Sequence, residues 1–163
     1  MTAVRIDGKA LALEVRAEVA DDVRAFGQPV CLATILVGDD PASHTYVGSK
    51  HEASREAGIE SRDHRFPVDT AESVVLDLID ELNADDEVDG ILVQLPLPDH
   101  MDEPTVLRAV DPAKDVDGFH VLNAGRLYLG EPFLVPATPS GVMVMLEKHG
   151  VELKGKEAVV VGR

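Results

Sequence analysis

The 163-residue chain has no tryptophan, one cysteine, few aromatic residues (4%) and half as many basic as acidic side chains. Each shortage excludes something. A single cysteine, Cys31, cannot close an internal disulfide, and its place in the apolar run "VCLATILV" is that of a buried strand residue. No apolar run approaches the ~20 residues of a membrane-spanning helix. The opening "MTAVRIDGKALALEV" lacks a basic segment followed by an apolar one, so no secretory signal is expected and the expected location is cytoplasmic. With 15 basic against 30 acidic residues the formal net charge is −15. A field of that sign repels nucleic acid and anionic membranes, so neither is expected as a partner. No internal repeat or low-complexity segment interrupts the chain. What is present is an apolar content of 45%, ordinary for a globular protein. That suffices for one domain with a real core, or one domain and part of a second.

The acidic residues are dispersed, in "DDVRA", "DTAESVVLDLIDELNADDEVD" and "DHMDEP", at positions expected to face solvent. A scattered acidic surface with sparse lysine suits concentrated salt, where repulsion is screened within about 3 Å at 1 M. Thermal unfolding followed from dilute buffer to molar salt tests this reading of the surface as halophilic in type. The melting temperature is expected to rise with salt, and a flat response removes the basis for the idea.

The apolar pattern alternates between two periods. "TAVRI" (2–6) is a short strand candidate, and residues 8–27 have helical spacing through Leu11, Val15, Val19 and Val23. "PVCLATILVG" (29–38) is a continuous β-branched run, as in a strand covered on both faces. Asp40 can cap the next helix, Pro41 suits its first turn and Gly58 its end. "IESRDHRFP" (59–67) is a weaker strand, residues 70–85 form a helix with a Thr-x-x-Ser start, and "VDGILVQLPLP" (88–98) begins as a strand that Pro96 and Pro98 stop. This strand–helix rhythm predicts an α/β fold, a three-layer α/β/α domain with a mostly parallel sheet. From Asp99 the texture turns to Pro, Gly and Asp with short helical stretches, and a long irregular region of that kind is more often functional than filler. A helix opened by Pro139 and closed near Gly150 follows. "AVVVG" and a basic residue then look like the first strand and turn of a dinucleotide-binding unit.

Four stretches act together: "GDDPASHTYVGSKHEASREAGI", "DGILVQLPLP", "PAKDVDGFHVLNAGRL" and "PATPSGVMVMLEKHGVELKGKEAVVVGR". In order and spacing they resemble the bifunctional methylenetetrahydrofolate dehydrogenase/methenyltetrahydrofolate cyclohydrolase family over nearly the whole chain. The resemblance implies a folate-binding catalytic domain over 1–138, a linking helix over 139–150 and the start of an NADP-binding Rossmann domain over 151–163. It also implies a homodimer.

Read chemically, Tyr46 and Lys50 stand four apart and share a helix face. Taken alone that pair is an ordinary solvated one; with the motifs, Lys50 resembles the family's catalytic lysine and Tyr46 the tyrosine flanking the bound folate. An amine partly removed from water releases its proton more readily, which suits it to act as a base. Gln94 leaves the carboxyl end of a buried strand, where open α/β sheets place ligands, and resembles the glutamine that orients the lysine. Leu95 and Pro96 continue that substrate-binding segment, stiffened by proline. In "KDVDG" a carboxylate can match the paired N–H donors of a pterin edge; the resemblance gives this role to Asp117, with Gly118 letting backbone pass closely. An acidic turn in solvent and a metal site are the alternatives, but no His or Cys stands at ligand spacing, so no metal is expected. Pro139 is a further substrate-binding residue by resemblance, and Gly162 and Arg163 would approach the NADP phosphates. Ala137 stands where many relatives carry cysteine. The implied substrate is a tetrahydrofolate derivative, and this chain alone is expected to lack dehydrogenase activity. Two other readings remain open from the residues: another two-domain dehydrogenase with this first domain, or a non-catalytic folate-binding or association module.

Overall fold

The computed structural model describes residues 5–161, the side chains of Ala42 and His44 excepted. Its elements run α1 (Gly8–Phe26), β1 (Cys31–Val37), α2 (Pro41–Glu56), β2 (Glu60–Phe66), α3 (Glu72–Ala84), β3 (Gly90–Val93), α4 (Glu103–Ala109), α5 (Val121–Tyr128) and α6 (Ala137–Lys148). The three strands pair in the order β2-β1-β3, all parallel. The central strand is the most apolar segment, because a strand flanked by two others and covered on both faces has nowhere to show a polar side chain.

The steps β1→β2 and β2→β3 run in opposite directions across the sheet, so right-handed crossovers place α2 and α3 on opposite faces. On the α3 side, Ala33, Ile35 and Val37 of β1 and Ile91 and Val93 of β3 pack with Val75, Ile79 and Leu82 of α3 and Val106 of α4. Burying a side chain such as Ile35 or Ile79 fully contributes about 1.5–3 kcal/mol. On the other side Thr34, Leu36 and Leu92 are equally buried, as is Val47 of α2. Cys31 is buried at the start of β1, and burial pushes its thiol pKa up. It behaves as a small apolar residue.

Local signals explain most boundaries. Asp40 accepts a hydrogen bond from Ser43 N at 2.7 Å, and Pro41 opens α2. Asp7 caps α1 through Lys9 N and Ala10 N. Arg62 is shared among Glu60, Asp85 and Glu87 and so clips the start of β2 to the loop after α3. Among the described residues no helix is long and apolar enough to cross a membrane.

Several expectations need correction. Residues 2–4 of the first strand candidate lie outside the described residues, and Arg5 and Ile6 carry no strand. In α1 only Leu11 of the four stripe residues is buried, because the helix rests on α2 instead of on the sheet. α3 begins at Glu72 behind Ala71, without the side-chain cap expected from Thr70. α6 begins at Ala137, two residues before Pro139. The segment expected to open a dinucleotide-binding unit makes no sheet pairing up to Val161, and Val159, Val160 and Val161 are exposed. A lone extended segment has no ladder to join, since strand geometry is held by a neighbour's hydrogen bonds.

Lys114 was read from sequence only as part of a motif, yet it joins two regions. Its Nζ donates to three carbonyls at the end of α3: Leu82 O at 3.0 Å, Asn83 O at 2.9 Å and Asp85 O at 2.7 Å. A cation there satisfies orphan carbonyls and the negative end of the helix dipole. Lys114→Met keeps the stem and removes the donors, so it should lower stability by about 1.5–3 kcal/mol. Urea unfolding checks this; an unchanged midpoint would show that water replaces the ammonium without loss.

Candidate functional site

The site forms where β1 and β3 end. Gln94, the residue after β3, is fixed by its backbone N–H donating to Ile35 O at 2.8 Å. Its side-chain Nε2 donates to Leu95 O at 2.7 Å, which turns Oε1 toward α2, where it accepts from Lys50 Nζ at 3.2 Å. The bond spans 44 residues of chain. Leu95 packs partly on the core, the Leu95–Pro96 peptide bond is cis, and Pro96 is exposed. Tyr46, one turn before Lys50, is 64% exposed and stands at the rim with its ring open to solvent.

The acidic segment is hung on the other edge of β3. Ile91 N donates to Lys114 O at 2.7 Å, and Ile91 and Asp115 form an isolated parallel bridge. Val116 lies against Gly90, where a Cβ would stand 2.5 Å from Val116 Cγ1, so the strand begins with the one residue that lets the segment down onto it. Asp117 is half-buried. Burial raises its carboxyl pKa above the usual range; the Lys50 ammonium pulls the other way, and the neighbouring Asp115 carboxylate adds to the rise. The Lys50 charge therefore reaches the Asp117 carboxylate. Gly118, at φ +65°, holds a conformation other residues rarely adopt, and a Cβ on it would lie 2.8 Å from Pro136 N and 2.9 Å from Val135 C. The backbone of 135–136 does cross closely there.

Lys50 and Gln94 are thus joined directly, and Asp117 lies within electrostatic reach of Lys50. Pro139 lies three residues beyond the Gly118 crossing, exposed in the first turn of α6. Gly162 and Arg163 lie outside the described residues. Recesses of about 330, 470 and 260 Å³ lie elsewhere, and Lys50, Gln94 and Asp117 line none of these three. Among the described residues no cluster of three His, Cys, Asp or Glu could hold a metal ion. The motif offers two aspartates, of which the resemblance assigns the binding role to Asp117; Asp115 is buried instead, as are His120 and Asn123, to which the sequence assigns no role. The signal for Asp115 was an aspartate opening a tight turn, a type that accepts from backbone N–H groups just ahead of it.

Chemically, an amine held by an amide, with a partly desolvated carboxylate in its electrostatic reach, can bind a flat polar ring at one edge and move a proton at the other. The family model for the tetrahydrofolate dehydrogenase/cyclohydrolase catalytic domain matches residues 6–117, a span that contains all three groups. The bifunctional protein FolD 3 of Rhizorhabdus wittichii is 56% identical over 97% of this chain and 53% of its own length. The crystal structure of the bifunctional FolD methylenetetrahydrofolate dehydrogenase/cyclohydrolase from Campylobacter jejuni superposes with a TM-score of 0.92 at 46% identity, over 97% of this chain and 57% of that one. The Trypanosoma brucei enzyme, complexed with NADP cofactor and an inhibitor, gives 0.90 at 35% identity over 96% of this chain and 55% of its own. The chain spans about half the length of the curated relatives it matches.

The raised pKa of Asp117 carries a stability sign. A carboxyl that titrates higher folded than unfolded binds more protons in the fold across that window, so stability falls as pH rises through it. At neutral pH the ionised group therefore costs stability. Asp117→Asn should raise the melting temperature at pH 7, and the gain should vanish as pH drops through the carboxylate range. Thermal scans of both forms check this; a lower melting temperature for the variant at pH 7 would mean that attraction to Lys50 outweighs burial.

Proposed function

Since the chain belongs to the tetrahydrofolate dehydrogenase/cyclohydrolase family, we propose that it is the catalytic half of a bifunctional one-carbon folate enzyme. The parent enzyme oxidises 5,10-methylenetetrahydrofolate with NADP and hydrolyses the 5,10-methenyl product to 10-formyltetrahydrofolate. The observation that carries this reading is the Lys50–Gln94 hydrogen bond, with Asp117 close enough for its titration to respond to the lysine.

In this reading Asp117 receives the paired N–H donors of the pterin edge, which suits a carboxylate whose desolvation costs the empty protein stability. Tyr46 flanks the ring, while Leu95, Pro96, Gly118 and Pro139 shape the remainder of the folate site. Lys50, oriented by Gln94, handles protons during hydrolysis. For this step Lys50 first gives up the proton it carries in the empty site; water oxygen then attacks the methenyl carbon between N5 and N10, and one of its protons passes to the free amine, leaving a neutral carbinolamine. The C–N5 bond then breaks; N5 takes a proton, the hydroxyl gives one up to become the formyl oxygen, and the reaction releases one proton overall.

Hydride transfer needs NADP beside the same carbon. Gly162 and Arg163, proposed to approach its phosphates, lie outside the described residues. Domain limits belong to the same proposal: a catalytic domain to about residue 138, a linking helix, and a dinucleotide-binding unit from 151. A cytoplasmic homodimer with a salt-adapted acidic surface completes it, supported by the family resemblance and the net charge of −15.

Two substitutions in the parent enzyme separate the roles. Lys50→Met should abolish hydrolysis, followed as decay of the methenyl chromophore, while leaving folate affinity largely intact. Asp117→Ala should instead weaken binding by roughly 2–5 kcal/mol. Normal hydrolysis by Lys50→Met would assign the proton transfer to another group.

A further inference from the structure

Behind Asp117 lies a buried polar knot that folate chemistry does not require to touch substrate. Asp115 is 5% exposed and Asn123 fully buried. Asp115 Oδ2 accepts from His120 N at 2.8 Å and from Asn123 Nδ2 at 2.9 Å, and Oδ1 accepts from Phe119 N at 3.2 Å. Its own carbonyl accepts from Gly118 N at 3.1 Å. Asn123 Nδ2 also donates to Pro112 O at 2.8 Å, so one amide ties Pro112 and Asp115 to α5. His120 caps that helix through its ring, accepting from Leu122 N.

We propose that Asp115 is the positioning residue of the folate site: an acceptor-only side chain that closes the turn over Val116, Asp117 and Gly118 and aims Asp117 toward Lys50. This rests on the reading that Asp117 holds the folate. The requirement for a carboxylate follows from its partners. All three groups facing it are N–H donors, so its oxygens are matched throughout, whereas an amide in the same place would set an NH2 against at least one donor. A buried charge held by two backbone N–H groups and an amide is also far harder to move than a neutral turn. The carboxylate does a second thing, for its like charge opposes ionisation of Asp117 while Lys50 on α2 favours it. Asp115 thus sets both the direction and the charge balance of the group next to it.

The test is titration calorimetry of the 163-residue chain with tetrahydrofolate across a pH series, with thermal unfolding of every variant. Asp115→Asn is nearly isosteric and should weaken binding by about tenfold to a hundredfold, the scale of a misplaced binding group. It should also move the acidic limb of the binding profile, set by Asp117, to lower pH, because the like charge is gone. Asn123→Ala removes one donor of three and should weaken binding by about two- to tenfold with that limb left in place. It keeps the proposal open to failure should Asp115→Asn not fold. A purely structural role would lower melting temperatures yet leave the affinity of the folded fraction and the acidic limb where they were, and that result overturns the proposal. Failure of the underlying reading looks different: either the native chain does not bind tetrahydrofolate, or Asp117→Ala binds it as well as the native chain does. Either result removes this proposal too.

Discussion

The pairing of β3 with β1 is the contact on which the site depends, because β3 is only four residues long and carries the site on both of its sides. Toward β1, the ladder continues into Gln94 N donating to Ile35 O, which fixes where the glutamine leaves the sheet. On the opposite side Ile91 N donates to Lys114 O, and the acidic segment is suspended from that bond. α2, which leaves the same carboxyl end of β1, adds Lys50 to the glutamine. A slip of one residue along this strand would turn Ile91 and Val93 out of the core and carry Gln94 away from the lysine at once. Core packing and site geometry are therefore held by one register.

The cost of this arrangement falls on Asp117. Half-buried and beside a second carboxylate, it is offset only in part by Lys50, so the empty protein holds a group whose ionisation opposes folding. Functional sites commonly retain such features, which local stability alone would remove. The surroundings are correspondingly firm. Lys114 anchors the segment to the end of α3, Val116 is seated on Gly90, and the Asp115 knot closes the turn from behind. Rigid support around a destabilised carboxylate is the physical pattern expected when a group must meet its ligand already oriented.

Much of this was legible before any coordinates. The β-branched run at 31–37 suits a buried strand, and Asp40-Pro41 fixes the start of α2, so the four-residue spacing places Tyr46 and Lys50 on one helix face. Asp117 was picked out by its motif. The motif holds Asp115 as well, but its inward direction is not legible, since an inward aspartate and an outward one look alike in so acidic a sequence. The final valine-rich segment shows a different limit: its composition suits a strand, and strand formation depends on a neighbour that composition does not supply.

The sequence by itself determined the element types, the caps, the absence of a disulfide and the four motifs that mark the family, because each of these depends on residues near one another in the chain. Only the tertiary structure decided that Gln94 turns its oxygen to Lys50, that Lys50 is felt at Asp117, and that Asp115 faces inward to brace the turn. Those relations join segments tens of residues apart, and their distances are set by strand register and crossover handedness, which no local pattern specifies.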